Sequence, residues 1–225
     1  HQHDLCRRQR QMCIRDRAYS VIEVSDPKRK KALAELCADQ VQIHQSPTFL
    51  VFCADLNRDR LAGQLHGVEN FDTDYVEALL IATVDAALVL QNVALAAESH
   101  GLGICMIGAI RIHPKAVGKL LNLPPLVYAV AGLCLGYPAK DQQQKPRLPL
   151  ETILHHERYP EDDQQINHIK GYDQTMVEFY SSQAMHDKDP RWSKVMAART
   201  ARFHERAELD EYLSDQGFHF KSSTP

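Results

Sequence analysis

The sequence lacks the short motifs that identify several large classes of enzyme. It contains no P-loop, no HExxH zinc signature and no GxSxG nucleophile elbow. Its six cysteines form no CxxC pair, and its 12 histidines show no metal-ligand spacing. These absences give no support for a metal site or for a nucleophilic triad. If the chain is an enzyme, a bound organic cofactor is expected to carry the chemistry.

Strong net charge and a long uninterrupted apolar run are also missing. The formal net charge is -3 at pH 7, which gives no reason to expect nucleic acid as a partner. A membrane span needs about 20 consecutive apolar residues, and the most apolar segment is interrupted by Asp85, Gln91 and Asn92. The basic N-terminus has no apolar h-region, so no signal peptide is expected. Without paired cysteines, a reduced, cytoplasmic protein is the natural interpretation.

The dominant feature is the stretch 74–111, in which a long apolar helix pattern leads into a glycine-containing turn. Apolar residues occupy nearly every face of the pattern, which predicts a buried helix. Gly101 is predicted to end this helix in the left-handed conformation, and a short strand at 104–107 then leads to Gly108. Three residues can cap the helix N-terminus: Asp72, Thr73 and Asp74.

The rest of the pattern alternates strands and helices. Apolar runs predict strands at 18–24, 48–54 and 127–135. The polar stretch 55–72 is predicted to be a connecting loop, with a functional lid as one possibility. Further helices are predicted at 27–40, 112–125, 166–180, from near Pro190, and at 208–216. The expected organisation is a basic segment at 1–17, a core at 18–160 and a helical extension at 161–225.

The irregular stretch PAKDQQQKPRLPL, residues 138–150, contains two cations between prolines, Lys145 and Arg147. Proline fixes its own φ and restricts the residue before it. Two interpretations follow. The stretch is either a solvated linker or a rigid arm that presents two cations to an anion.

Four segments in this order resemble the FMN-dependent nitroreductase family, in particular its NADPH-dependent oxygen-insensitive nitroreductases and flavin reductases. They are FLVFCADLNR, VDAALVLQNVALAAESHGLGICMIGAIR, AGLCLGYPA and KPRLP. The resemblance extends from about Tyr19 to the C-terminus. It implies an α+β fold with a mainly antiparallel central sheet flanked by helices and a C-terminal helical extension. It also implies a homodimer with FMN at each subunit interface, in which the long helix takes part.

The resemblance also implies site residues. No catalytic side chain and no metal ligand are expected, because the flavin carries the chemistry. Ser20 is similar to part of a serine-rich flavin loop, and Gln40 to a glutamine that contacts the flavin. Arg191 is similar to a residue that binds the 2′-phosphate of NADPH. The other FMN contacts implied are the ring-side segment Ile107, Gly108 and Ala109 and the phosphate and ribityl cations Lys145 and Arg147.

The implied activity passes two electrons from NADPH, through FMN, to small-molecule acceptors such as nitroaromatics, quinones or free flavin, by a ping-pong mechanism. The N-terminus departs from the family, because residues 1–17 carry no R-S-x-R-type phosphate clamp in register. The first part of a family member therefore looks missing or replaced. An alternative follows: a non-catalytic dimeric member with impaired FMN binding.

Overall fold

A computed structural model describes residues 17–138, 143–182 and 189–219. The chain divides into two compact units. Among the described residues, 17–138 and 206–219 belong to the first unit, and 143–182 and 189–205 belong to the second. Apart from Arg17, the predicted basic segment 1–17 lies outside the described residues.

Four strands form one antiparallel sheet in the first unit. Their spatial order is β1-β2-β4-β3, and each neighbouring pair is antiparallel. The predicted α+β fold with a mainly antiparallel central sheet is therefore confirmed. The strands are β1 Tyr19–Val24, β2 Thr48–Asp55, β3 Gly103–Ile107 and β4 Val127–Gly136.

Burial on both faces of the sheet explains the continuous apolar composition of β2. Phe49, Val51 and Cys53 join one hydrophobic cluster, whereas Phe52 and Ala54 join two others. Side chains alternate between the two faces along a strand. A central strand covered on both sides therefore shows no polar alternation in its sequence.

Helices cover both faces of this sheet. Leu33 and Val117 come from helices packed on the Phe49 side, and Ala82 and Leu213 come from helices packed on the other side. The helices of the first unit are α1 Pro27–Leu36, α2 Val41–Gln45, α3 Asn57–Leu65, α4 Val76–Ser99, α5 Pro114–Leu121 and α9 Glu208–Asp215. Those of the second unit are α6 Leu150–Ile153, α7 Asp162–Ser182 and α8 Trp192–Thr200; 3₁₀-helices cover Gly108–Arg111 and Phe203–Arg206.

The long helix α4 begins later than its cap candidates predicted. Its N-cap is Tyr75, which makes no side-chain capping bond. The carboxylate of Asp72 instead accepts the backbone N–H of Asp74 at 3.2 Å, inside the preceding turn. The predicted cap was therefore wrong, because a short polar side chain can serve a turn instead of a helix. The predicted left-handed Gly101 is confirmed, with φ of +75°.

One stripe of α4 remains uncovered in the single chain, although the helix contacts all four strands. Leu80, Leu88 and Leu95 are 48%, 38% and 55% exposed, and their spacing places them on one side of a helix. The prediction that α4 is buried on nearly every face is thus wrong for the single chain, in which this side of the helix is exposed. By length and composition alone α4 could also cross a membrane.

The stretch 55–72 is not wholly a loop, because α3 occupies half of it. The carboxylate of Asp55 accepts the backbone N–H of Asn57 at 3.0 Å and that of Arg58 at 3.3 Å. These bonds satisfy donors at the helix start. The predicted loop was wrong here because α3 buries no residue, so it has no apolar periodicity to reveal it.

The C-terminal helices confirm the predicted helical segments. α9 packs in the first unit, where Tyr212, Leu213 and Phe218 are buried in one hydrophobic cluster. The ring of Phe218 lies edge-on to Tyr128 at 5.8 Å between centroids. Gly217, with φ of +94°, makes a left-handed turn after this helix.

Candidate functional site

The end of β3 provides an exposed backbone surface. Ile107 is buried and pairs with Gly132, and the chain then turns into the 3₁₀-helix that begins at Gly108. Gly108 is exposed. A Cβ placed there would have one neighbour within 4 Å among the described residues, Nη2 of Arg111 at 3.7 Å. A flat ligand can therefore approach the main chain at this position.

Arg111 is a site residue that the sequence did not single out. Its guanidinium Nη1 donates to the backbone carbonyl of Val130 on β4, while Nη2 lies beside Gly108. The side chain is half-buried. Since its planar group is held against the sheet, it places a fixed positive charge beside the exposed turn. In the sequence Arg111 is only the last residue of the motif GAIR, which does not reveal this orientation.

Gln40 lies at the N-terminus of α2 with its side chain partly exposed. This side chain makes no hydrogen bond to another described residue. The two preceding residues, Ala38 and Asp39, both have positive φ, 58° and 51°. Such backbone is uncommon for non-glycine residues, and strain of this kind clusters at functional sites. The Asp39 carboxylate contacts Nε2 of His44 at 2.7 Å, which braces the turn before Gln40.

Ser20 lies at the opposite edge of the sheet from the exposed turn. It is on β1, whereas Ile107 is on β3, and two strands separate them. The two edge strands are three inter-strand spacings apart, and at about 4.8 Å per spacing they lie about 14 Å apart across the sheet. The Ser20 hydroxyl donates a hydrogen bond to Oδ2 of Asp55 and accepts one from Nη2 of Arg58 at 3.0 Å. The structure therefore gives this hydroxyl an internal role in tying β1 to the start of α3.

Lys145 and Arg147 are exposed on either side of the half-buried Pro146. Neither makes an ion pair with another described residue. The Lys145 ammonium lies 5.5 Å from the centroid of the Tyr180 ring, and the hydroxyl of Tyr172 donates to the Pro146 carbonyl at 2.9 Å. Of the two interpretations for this stretch, the contacts favour the rigid arm with two cations available to an anion.

Arg191 lies at the N-cap of α8 and is already paired. Its Nε donates to Oδ1 of Asp189 at 2.7 Å, and its Nη2 donates to Oδ2. Lys194 also donates to Asp189, at 2.9 Å. The hydrogen bonds from Arg191, and to a smaller extent from Lys194, hold the pKa of Asp189 below its ordinary range. A phosphate that bound the Nε–Nη2 edge of the Arg191 guanidinium would have to replace this carboxylate.

The predicted residues thus fall into two groups. In the first unit, Ile107 and Ala109 pack with the cluster that contains Cys37 at the end of α1, and the 3₁₀-helix after β3 contacts α1. Gln40, which follows Cys37, is on this side of the sheet, whereas Ser20 is at the far edge. The second unit contains three predicted basic residues: Lys145, Arg147 and Arg191.

The buried thiols are chemically quiet. Burial raises the pKa of Cys37 and of Cys53 to about 12, and that of Cys134 to about 11. Since the thiolate is the reactive form, these side chains behave as small apolar groups. The described part of the chain contains no cluster of three metal-ligating side chains.

Comparison with known proteins places both parts of the chain in one family. Residues 17–137 match the domain described as the nitroreductase family, and residues 145–221 match the nitroreductase family C-terminal domain. The chain is similar to an FMN reductase [NAD(P)H] from Bacillus subtilis, with 38% identity over 91% of this chain and 82% of the relative. It is also similar to an oxygen-insensitive NADPH nitroreductase from Salmonella typhimurium, with 36% identity over 88% and 80% of the two chains.

A solved structure gives the same result. A hypothetical oxidoreductase from Bacillus subtilis superposes with a TM-score of 0.89 and 36% identity, covering 98% of this chain and 90% of that one. By sequence and by fold, the chain belongs to the nitroreductase family.

Proposed function

We propose that this protein is an FMN-dependent oxidoreductase that passes two electrons from NADPH to small-molecule acceptors. The structural observation that carries the proposal is the exposed pair Lys145 and Arg147, held on a proline-fixed arm without a carboxylate partner among the described residues. Two neighbouring cations without a carboxylate partner suit a phosphate monoester. The names of the similar proteins, an FMN reductase and an NADPH nitroreductase, support the same cofactor and donor.

The residues present fit the proposed cofactor. Lys145 and Arg147 would hold the FMN phosphate, and the backbone from Ile107 to Ala109 would lie against the ring. Open space beside Gly108 is the fit that a flat ring requires, and the Gln40 amide has donor and acceptor capacity to spare. Ser20 fits less well, because its hydroxyl is engaged by Asp55 and Arg58. We propose Arg191 for the 2′-phosphate of NADPH, in exchange for Asp189.

The chain's own part is binding and orientation. When bound, FMN accepts two electrons from NADPH and passes them to a nitroaromatic, a quinone or free flavin. The guanidinium of Arg111 beside the turn favours negative charge there. NADPH and the acceptor would use one site in turn, which predicts ping-pong kinetics with parallel lines in double-reciprocal plots.

We also propose that the protein is a homodimer and resides in the cytoplasm. The exposed side chains of Leu80, Leu88 and Leu95 on one side of α4 support the dimer, because large apolar side chains that share an exposed helix face suit a protein interface. The four described cysteines are free thiols, which suits a reducing compartment.

The colour of the purified protein tests the proposal. A yellow protein with a flavin absorption band, or one that becomes yellow with added FMN and then oxidises NADPH when a quinone is present, is the expected result. A folded protein that binds no added FMN and oxidises no NADPH would overturn the proposed enzyme in favour of the non-catalytic alternative.

A further inference from the structure

Tyr172 on α7 combines a buried ring with a hydrogen bond to the cationic arm. The side chain is 6% exposed. Its hydroxyl donates to the backbone carbonyl of Pro146 at 2.9 Å, and Pro146 separates Lys145 from Arg147. A buried hydroxyl needs a hydrogen-bond partner, and here that partner is the backbone of the arm itself, so the side chain of Tyr172 is tied to the arm.

The hydrogen bond acts on the one torsion angle of Pro146 that its ring leaves free. The pyrrolidine ring fixes φ of Pro146 and restricts the backbone of Lys145, and the peptide bond to Arg147 is planar. Among the backbone torsions between the two Cα atoms, ψ of Pro146 is then the main one left that can swing the Cα of Arg147 relative to that of Lys145. Because this rotation carries the Pro146 carbonyl with it, a hydrogen bond to that carbonyl fixes ψ.

Other contacts of α7 hold the donor and the first cation in place. The ring of Tyr172 meets the Trp192 ring edge-on, with 6.0 Å between centroids. Tyr180, two turns later on the same side of α7, supports the Lys145 ammonium through its ring at 5.5 Å. The arm is therefore held at Lys145 and at the Pro146 carbonyl, and these two contacts set the point from which the side chain of Arg147 extends.

The next residue, Asp173, ties α8 to the same part of α7. Its carboxylate accepts the backbone N–H of Ser193 at 2.8 Å and the Ser193 hydroxyl at 2.5 Å. These bonds hold the start of α8, where Trp192 lies against Tyr172. Asp173 thus holds the segment that carries Trp192, and Tyr172 contacts both Trp192 and the arm.

We propose that Tyr172 is a positioning residue, whose hydroxyl sets the orientation of Arg147 for the phosphate of FMN. The inference rests on the proposed function, since it needs FMN as the anion that the arm receives. It makes a selective prediction: the hydroxyl affects binding of the phosphate and leaves binding of the flavin ring unchanged. Riboflavin, which has the ring and lacks the phosphate, is therefore the matched probe.

The test measures dissociation constants of FMN and riboflavin for the full chain freed of flavin. Tyr172→Phe keeps the ring against Trp192 and removes the hydrogen bond. It should weaken FMN binding about five- to tenfold, the size of one net hydrogen bond, with riboflavin binding unchanged. Tyr159→Phe is the control, because the exposed hydroxyl of Tyr159 makes no hydrogen bond to another described residue. It should leave both constants unchanged.

A double variant tests whether the hydroxyl acts through Arg147. On an Arg147→Ala background, Tyr172→Phe should cause no further loss of FMN affinity, because residues that act as a unit are not additive. A fully additive loss would overturn the positioning role. If Tyr172→Phe does not fold, Pro146→Ala decides instead: releasing φ should weaken FMN and spare riboflavin, and an unchanged FMN constant overturns the inference.

The outcomes separate this inference from the proposed function. A wild-type protein that binds no FMN overturns both. A wild-type protein that binds FMN, with Tyr172→Phe equal to Tyr159→Phe, overturns the positioning role alone. Equal weakening of FMN and riboflavin in Tyr172→Phe also overturns it, because that result means a general packing role.

Discussion

The side chain of Asp85, fully buried in the middle of α4, accepts the backbone N–H of Ala18 at 3.0 Å. This bond joins the long helix to the residue that precedes β1. Ala18 is itself fully buried, so its N–H has no access to water. The other carboxyl oxygen of Asp85 has no partner among the described residues. A polar residue that looked like an interruption of an apolar helix is therefore a tie between helix and sheet.

Asp85→Ala should destabilise the protein through this tie. The substitution leaves the buried N–H of Ala18 without an acceptor, which costs about 1–3 kcal/mol of unfolding free energy. Asp85→Asn keeps an acceptor oxygen and should cost less. Glu77→Ala, at an exposed site on the same helix, should change stability by less than about 0.5 kcal/mol. Denaturant unfolding checks the order; equal stability of Asp85→Ala and Glu77→Ala would contradict it.

Arg147→Ala should weaken FMN binding about ten- to a hundredfold, because one charge-assisted contact is worth about 1.5–3 kcal/mol. The loss should shrink at high salt, since screening already weakens the contact in the wild type. Arg199→Ala removes a similarly exposed cation from α8 and should have no effect. Fluorescence titration with FMN checks both variants. An unchanged constant for Arg147→Ala would remove the arm from the cofactor site.

How well the sequence predicted each element depended on whether its own chain buries it. The strand at 48–54 was visible because Phe49, Val51 and Phe52 are all buried and form an apolar run. α3 was missed because its signal lies in Asp55, which caps the helix, and not in any apolar stripe. The apolar pattern also does not show at which residue a helix begins. It therefore could not predict that the N-cap of α4 is Tyr75 and that Asp72 serves the preceding turn.

Candidate site residues were visible in the sequence only where a local pattern marks them, as the glycine-containing turn marks Gly108 and the neighbouring prolines mark Lys145 and Arg147. Gly108 could be singled out because a missing side chain leaves a signature in the sequence. The roles of Arg111 and Tyr172 depend on partners distant in the chain, Val130 and Pro146. Their sequence spacing carries no trace of these contacts. From the sequence, Tyr172 was visible only as one residue of the helix predicted at 166–180.

The buried thiols predict a stability limit at alkaline pH. Burial raises the pKa of Cys37 and Cys53 from 9.0 to about 12, which favours the neutral thiol in the folded state. Their contribution to stability is therefore fully present below pH 9.0 and is lost as the pH rises from 9.0 toward about 12. Unfolding free energies measured across that range should fall. The unfolding free energy of a Cys53→Ala variant should fall less steeply with pH. An identical slope would contradict the role given to the buried thiol of Cys53.

The exposed stripe of α4 predicts that charge introduced there will separate subunits. Leu88→Asp or Leu95→Asp would bury an unpaired carboxylate in the proposed dimer interface, at a cost of several kcal/mol. Light scattering coupled to size-exclusion chromatography should show a dimer for the wild type and a monomer for these variants. Leu65→Asp is the control, since Leu65 on α3 is 84% exposed. A monomeric wild type, or variants that stay dimeric, would contradict the interface.

Gly108, which directly follows β3, and Gly132 on β4 separate a cofactor role from a packing role. Gly132, the partner of Ile107 across β3 and β4, has no room for a side chain: a Cβ there would lie 2.7 Å from Cε2 of Phe49. Gly132→Ala should therefore destabilise the fold by overpacking, by about 1–3 kcal/mol. Gly108 differs, because a Cβ there meets Nη2 of Arg111 at an ordinary 3.7 Å. Gly108→Val should leave the unfolding midpoint close to that of the wild type.

Gly108→Val should nevertheless lose FMN or shift the flavin spectrum, because the added side chain occupies the open space beside the turn. Displacing a bound ring by about 1 Å can cost about a hundredfold in rate, so NADPH oxidation should fall by at least that factor. Thermal unfolding, flavin content and NADPH oxidation together decide the case. A stable Gly108→Val protein with normal flavin content and activity would place the ring elsewhere. An unstable one would mean that Gly108, like Gly132, is required for packing.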